Sequence, residues 1–271
     1  MGISLATLGG TMTQSITTGN ILARSFRIFG QAPGLFFSII LILYSPLLLL
    51  FLPMVLDATA PAEPGPESLS GPLDQAGLAL WGPMAAGMLL FLLIAPAATA
   101  AIAYGVVRKM RGEPVTLGEC FRKGFRRWVS VVAASILMGL AAFLGFVACI
   151  VPGLVVMAGL FVAIPALVVE EESASMALSR SWDLTRGHRL STFGVIFIFI
   201  VLQQLTEVPA YVTEDLGVAQ EGVGAFLLLV LTTGLSLVFT AVQSVSSAVA
   251  YHDLRVEKEG FGLEEIAAAF D

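Results

Sequence analysis

Residues 129–169 read VSVVAASILMGLAAFLGFVACIVPGLVVMAGLFVAIPALVV, a run without a charged side chain. As one helix it would be about 60 Å long, roughly twice the thickness of a bilayer hydrocarbon core. The run therefore predicts two membrane spans, at 129–150 and 154–169, separated at Pro152-Gly153. The second span is short, so we expect Pro152 in its first turn, where a missing N–H costs nothing.

Further apolar runs of similar length lie on both sides of this hairpin, at 34–56, 79–107, 191–209 and 223–250. The chain as a whole is 57% hydrophobic and 13% charged, against ~25% charged in a typical soluble domain. Lipid offers no partner for an open backbone, so each run must be helical. The sequence predicts an all-α polytopic membrane protein with six transmembrane helices in one domain at 21–255. A poorly ordered leader at 1–20 and a tail at 256–271 flank it.

The charges separate completely across these six predicted spans. All 14 Lys and Arg residues fall before span one, between spans two and three, between four and five, or after six. The loops on the opposite side contain acids and no base: Asp57, Glu63, Glu67, Asp74, Glu207, Glu214, Asp215 and Glu221. Basic loops stay in the cytoplasm. We therefore expect both termini in the cytoplasm of a bacterium, with the spans in its cytoplasmic (inner) membrane.

A weak repeat precedes each odd-numbered span or hairpin: LARSF at 22–26, FRKGF at 121–125 and LSRSW at 178–182. Apolar and aromatic residues beside a base are typical of interfacial amphipathic helices on an anionic leaflet. Such helices can serve topology and anchoring alone, or can bind lipid headgroups or a partner. The expected headgroup and interfacial residues are Arg24, Phe26, Arg122, Lys123, Phe125, Arg126, Arg127, Trp128, Arg180, Trp182 and Arg186.

Few polar residues lie inside the predicted spans. The deepest are Gln203, Gln204 and Gln243, which could join helices by hydrogen bonds or line a polar cavity between spans five and six. Small residues at four-residue spacing predict close helix packing, within one bundle or between protomers. They are Ala97, Ala101 and Gly105 in span two and Ser236, Thr240, Ser244 and Ala248 in span six.

No catalytic or metal-binding motif is visible in the sequence. The two histidines, His188 and His252, match no metal-ligand spacing, and Cys120 and Cys149 suggest neither a disulfide nor a metal pair. Phosphate-binding, nucleophile-elbow and dinucleotide fingerprints are missing as well. We expect a protein that is not an enzyme, with no cofactor, no metal and no nucleic-acid partner.

Two segments resemble a known family: ALSRSWDLTRG at 177–187 and YHDLRVEKEGF at 251–261. They resemble the membrane domain of some bacterial glycerophosphodiester phosphodiesterases and of related stand-alone polytopic proteins of unknown function. The likeness extends over most of 20–262 and implies a six-span helical fold. It does not imply phosphodiesterase activity, which in that family belongs to a separate soluble barrel. His252 stands where the family usually has an aromatic residue.

These observations favour a membrane-organising, scaffolding or partner-supporting protein that contacts anionic lipids on its cytoplasmic face. Its partners would be those lipids and either a second copy of the chain or another membrane protein. The alternative is a small transporter or lipid-handling protein with a polar cavity between spans five and six. A headgroup enzyme using His188 and His252 is a third and weaker hypothesis.

Overall fold

The computed structural model of the protein describes residues 16–58, 75–215 and 222–259, which form ten α-helices and no strand. The predicted all-α class is confirmed. The helices are α1 (Thr18–Gln31), α2 (Pro33–Ala58), α3 (Gln75–Met110), α4 (Leu117–Arg126), α5 (Trp128–Ala148), α6 (Ile150–Leu160), α7 (Ala163–Glu170), α8 (Ala174–Leu184), α9 (Arg189–Asp215) and α10 (Gly222–Glu259).

Six stretches of these helices are long and apolar enough to cross a membrane, as the sequence predicted. They are Pro33–Pro53, Trp81–Met110, Trp128–Ala148, Ile150–Glu170, Arg189–Thr213 and Phe226–Glu259. The hairpin turns at Cys149, whose extended backbone (φ −177°, ψ 162°) ends α5 and precedes α6. Pro152 lies in the first turn of α6, as expected, but the fourth span begins at Ile150 and is 21 residues long. It was predicted too short because it was started after the proline.

The fourth span is also divided within its length. Helix α6 ends at Leu160 and α7 begins at Ala163, with Pro165 in the first turn of α7. The sequence analysis noted no break at this position. The division matters because backbone carbonyl groups inside the bundle lose their helical hydrogen-bond donors there.

Three short helices coincide with the three repeat segments. Helices α1, α4 and α8 precede the first span, the α5–α6 hairpin and the fifth span, respectively. Helix α4 begins with a capping box: the Thr116 hydroxyl accepts from the Glu119 N–H, and the Glu119 carboxylate accepts from the Thr116 N–H. Ser173 occupies the N-cap position of α8, but its side chain makes no capping bond there.

Small residues bring α3 close to its neighbours within this one chain. A Cβ on Gly124 of α4 would lie 3.0 Å from the Ala101 backbone, and one on Gly105 would lie 3.1 Å from the Cys120 sulfur. On the other side of α3, the Thr99 and Ser244 hydroxyls are 3.4 Å apart. Three members of the predicted small-residue stripes, Ala101, Gly105 and Ser244, therefore lie at helix contacts inside the bundle.

Contacts between helices gather the basic residues at one end of the bundle, called here the basic end. Arg24 of α1 pairs with Asp253 near the end of α10, and the Lys109 ammonium donates to the Gln31 carbonyl. Arg127, just before α5, pairs with Glu171, just after α7. Of the eight acids predicted for the opposite side, only Glu207 has a described side chain, so the acidic side of the prediction lies mostly outside the described residues.

The ends of the predicted domain differ slightly from the structure. Residues 1–15 of the predicted leader and 260–271 of the predicted tail lie outside the described residues. Ile16, however, is buried, and its carbonyl accepts from the Ser191 hydroxyl at 3.0 Å. Thr18 opens α1 and donates to the Ser191 carbonyl at 3.1 Å. Packing against α9 thus begins five residues before the boundary predicted from the sequence.

Candidate functional site at the basic end

Several of the predicted headgroup cations bind other parts of the same chain. Arg24 pairs with Asp253, and Arg180 pairs with Glu170 at 2.9 Å and also with Glu259. The Arg127 guanidinium donates to the Glu172 carbonyl at 3.2 Å. These arginines hold helices together at the basic end, so their charges are already paired within the chain.

The two segments that carried the family resemblance meet in one polar cluster. The Tyr251 hydroxyl donates to Glu170 at 2.7 Å and accepts from Arg255 at 3.0 Å. Arg255 also donates to Glu259 at 2.9 Å, and Arg180 completes the set. We call these five residues the α7–α8–α10 junction. Its charges are paired and its donors and acceptors are matched, which suits a structural connection better than acid–base chemistry.

Where the fourth span divides between α6 and α7, hydroxyl groups from other helices donate to backbone carbonyls that have lost their helical donors. Ser181 and Thr185 of α8 both donate to the Gly159 carbonyl, at 2.8 and 3.1 Å. Thr192 of α9 donates to Ala158 at 3.2 Å, and Ser247 of α10 donates to Phe161 at 2.7 Å. All four hydroxyl-bearing residues are buried. This set could not be predicted from the sequence, because a hydroxyl in an apolar helix does not indicate which distant carbonyl it reaches.

Helix α4 presents the predicted headgroup residues most openly. Arg122, Phe125, Arg126 and Trp128 are all exposed and follow one another around the outer side of α4 and the start of α5. We call these four residues the α4 surface. Lys123 beside them is half-buried. Two cations next to two exposed aromatic rings are the composition of an interfacial membrane contact.

The inner side of α4 packs against the bundle, and two acidic residues lie close to it. Cys120 is buried, and burial raises the pKa of its thiol to about 11. The Thr116 N–H, followed by the Thr116 side chain, holds the pKa of Glu119 below its ordinary value. Arg108 lies 2.6 Å from Glu113 and 3.6 Å from Glu119. Glu113 and Glu119 therefore both lie close to Arg108, and Glu119 also interacts electrostatically with Arg122 of the α4 surface.

The remaining predicted interfacial residues are less uniform. Phe26 of α1 and Arg186 after α8 are exposed. Trp182 is half-buried, with the Arg189 guanidinium 3.8 Å from its ring centroid. Among the predicted interfacial residues, the α4 surface is thus the most compact group with both exposed cations and exposed aromatic rings.

In the described part of the chain, no hydrogen bond joins the three glutamines to one another. Gln203 donates to the Thr240 hydroxyl of α10 at 3.4 Å, and one turn further the Thr206 and Ser236 hydroxyls are 3.1 Å apart. Gln243 is half-buried on α10. Gln204 is exposed on the outer side of α9, away from these pairs. The α9–α10 contact is therefore joined by polar pairs, with only one of the three glutamines in a described bond.

The two histidines contact different acids of α10. His188 lies 3.1 Å from Glu257, and His252 lies 3.5 Å from Asp253. Within residues 16–58, 75–215 and 222–259, no group of three His, Cys, Asp or Glu side chains is placed to hold a metal ion. A headgroup enzyme that uses both histidines stays a prediction from the sequence.

Six membrane-length helices with short helices between them define a polytopic α-helical membrane protein. The chain belongs to a family described as a domain of unknown function (DUF7847), whose model matches residues 16–254. Neither a curated protein nor a solved structure matches the chain. The resemblance to the membrane domain of glycerophosphodiester phosphodiesterases finds no support in these comparisons and stays a prediction.

Proposed function

We propose that this protein is a non-enzymatic component of the bacterial cytoplasmic membrane that binds anionic lipid headgroups and organises lipids or supports a partner there. The observation that carries the proposal is the α4 surface. Arg122 and Arg126 are exposed beside Phe125 and Trp128, and the nearby Glu113 and Glu119 lie within 3.6 Å of Arg108.

The charge map supports the side of the membrane on which this binding would occur. The positive-inside rule places the basic end, and both termini with it, in the cytoplasm. The cytoplasmic leaflet carries anionic lipids, and each Lys or Arg held near it contributes about 1 kcal/mol. A surface with two exposed arginines would therefore favour anionic over neutral lipid by about thirty-fold at low salt.

The α4 surface is held in place by a helix cap and by close packing, which supports selective headgroup binding rather than nonspecific electrostatic attraction. Its helix is capped at Thr116, and Gly124 packs directly on the Ala101 backbone. A planar guanidinium can donate two parallel hydrogen bonds to a phosphate. The amphipathic ring of Trp128 would lie at the headgroup level, and the apolar ring of Phe125 would lie at the boundary with the acyl chains.

The test uses the full-length protein in nanodiscs of phosphatidylcholine with increasing phosphatidylglycerol. We expect wild-type protein to retain phosphatidylglycerol preferentially, as counted by native mass spectrometry. The double variant Arg122→Gln/Arg126→Gln should lose most of that preference, roughly thirty-fold. The preference of Arg122→Lys/Arg126→Lys should stay close to that of wild type if charge dominates. It should fall between wild type and the double glutamine variant if bidentate bonding contributes.

Arg24→Gln is the matched control, because Arg24 is a basic-end arginine already paired with Asp253. This variant should lower the unfolding temperature and leave the lipid preference unchanged. Equal retention of phosphatidylglycerol and phosphatidylcholine by wild-type protein would contradict the proposal. So would a double glutamine variant with the wild-type preference.

We place the transporter or lipid-handling alternative second. It needs polar groups that line an open cavity between the fifth and sixth spans. Gln203 instead bonds to Thr240, and Gln204 points away from α10.

A further inference from the structure

Gln204 is a polar side chain on the membrane-facing side of a span. It lies roughly 22 Å from Arg189 and roughly 14 Å from Thr213 along α9, at about 1.5 Å per residue. That position is within the fifth span, about one helical turn before the exposed Glu207 near its far end. The residue is exposed, and among the described residues it has no hydrogen-bond partner, whereas its neighbour Gln203 is bonded to Thr240.

Lipid tails cannot satisfy an amide, because they neither donate nor accept hydrogen bonds. Polar side chains within spans accordingly face other protein groups and join helices by hydrogen bonds. The inward side of α9 is occupied by Val195, Phe199 and Thr206, which are buried. The partner of Gln204 must therefore come from outside the described bundle.

The residues around Gln204 form a seam with the spacing used by paired helices. Phe197, Val201, Gln204 and Val208 follow one another at intervals of four, three and four, and the three apolar members are exposed. Helices that pair along such a 3.5-residue repeat insert these side chains between those of the other helix. One polar residue within an otherwise apolar seam fixes the register and the number of helices.

We propose that α9 is a dimer interface, in which two copies of this chain pair along this seam and their Gln204 amides bond to each other. Copies in one membrane share the same orientation, so a two-fold axis along the membrane normal places both Gln204 residues at the same depth. An amide both donates and accepts, so two identical amides satisfy each other across that axis. This inference goes beyond the lipid-binding proposal and does not depend on it.

The first test compares two adjacent glutamines in labelled full-length protein, diluted stepwise in lipid bilayers and followed by energy transfer between copies. Wild-type protein should dimerise. Gln204→Leu should weaken dimerisation by about three- to thirty-fold, the range for one interhelical polar contact. Gln204→Asn should retain part of the affinity, since it keeps the amide.

Gln203→Leu is the control, because it removes the same group from the inward side of α9. It should lower the unfolding temperature through the lost Thr240 bond and leave dimerisation unchanged. A wild-type protein that stays monomeric at every concentration would overturn the proposal, as would Gln204→Leu dimerising as tightly as wild type.

Cross-linking in native membranes provides a second, independent readout. The background is Cys149→Ser, because Cys149 is exposed while Cys120 is buried. Val201→Cys and Val208→Cys should form disulfide-linked dimers under oxidation, whereas Leu140→Cys on the exposed side of α5 should not. Dimers from Leu140→Cys alone would place the interface elsewhere and overturn the assignment.

Discussion

Pro165 removes one hydrogen-bond donor from the fourth span, and Ser247 of α10 supplies a replacement. A proline has no N–H to give the carbonyl four residues earlier, which here belongs to Phe161. The Ser247 hydroxyl reaches that carbonyl at 2.7 Å and is itself 5% exposed. Gly159 is satisfied similarly by Ser181 and Thr185. Buried carbonyl groups left without donors are costly, so these hydroxyls fix how α6 and α7 sit against α8 and α10.

Ser247→Ala should therefore destabilise the protein by about 1–3 kcal/mol, the cost of leaving a buried acceptor unpaired. Pro165→Ala added to this variant restores an N–H that can reach Phe161, so the double variant should recover part of the loss. Thermal unfolding in detergent, analysed as a double-mutant cycle, measures the coupling. Strictly additive effects would show that the two groups do not share one acceptor.

Each short helix shows the repeat pattern in its sequence, and each also makes packing contacts that this pattern does not predict. The apolar–base–small–aromatic repeat correctly placed α1, α4 and α8, because interfacial helices keep a 3.6-residue periodicity. It did not reveal that the small residue of each repeat is the one buried: Ser25, Gly124 and Ser181. Nor did it reveal the break between α6 and α7, since a proline within a span is compatible with a continuous kinked helix.

The capping box of α4 gives a prediction with a definite pH dependence. Thr116→Ala should lower stability by about 1 kcal/mol, as for other N-cap threonines. The pKa of Glu119 is lowered in the folded state, so its ionised carboxylate stabilises the fold. This stabilisation is present above the ordinary pKa of 4.5 and is lost as pH falls through the folded-state pKa. The unfolding temperature of wild-type protein should consequently fall more steeply below about pH 4.5 than that of Glu119→Gln.

Circular dichroism melts of both proteins across that range provide the measurement. Glu119→Gln is a suitable comparison because a glutamine oxygen can still accept from the Thr116 N–H. Parallel pH profiles for the two proteins would contradict the assignment of the lowered pKa to this cap.

The helices form a bundle in which several bases lie at one end, where they pair with acids of other helices. Hydropathy and the position of 14 bases were sufficient to predict six spans and a common basic end, because both follow from the free energy of moving charge into lipid. The pairing of those bases could not be predicted. Arg24 and Arg180 were expected at the lipid surface, and the structure instead places them against Asp253, Glu170 and Glu259. Which acid reaches which base depends on how α1, α8 and α10 converge.

The orientation of the bundle is testable with engineered cysteines in the Cys149→Ser background. Ser68→Cys lies between the first two spans and Glu172→Cys lies at the basic end. A membrane-impermeant maleimide should label Ser68→Cys in intact cells and Glu172→Cys only after permeabilisation. Cys120 should stay unlabelled, because it is buried and the pKa of its thiol is raised. The reverse labelling pattern would place the basic end outside the cytoplasm.

The most direct test of the account is a structure of the full-length protein in nanodiscs that contain phosphatidylglycerol. We predict ordered headgroup density against Arg122 and Arg126 of the α4 surface, with Phe125 and Trp128 at the same depth. A water-filled cavity reaching Gln203 and Gln243 from one side of the membrane, with no headgroup on α4, would contradict the lipid-binding proposal and favour a transporter.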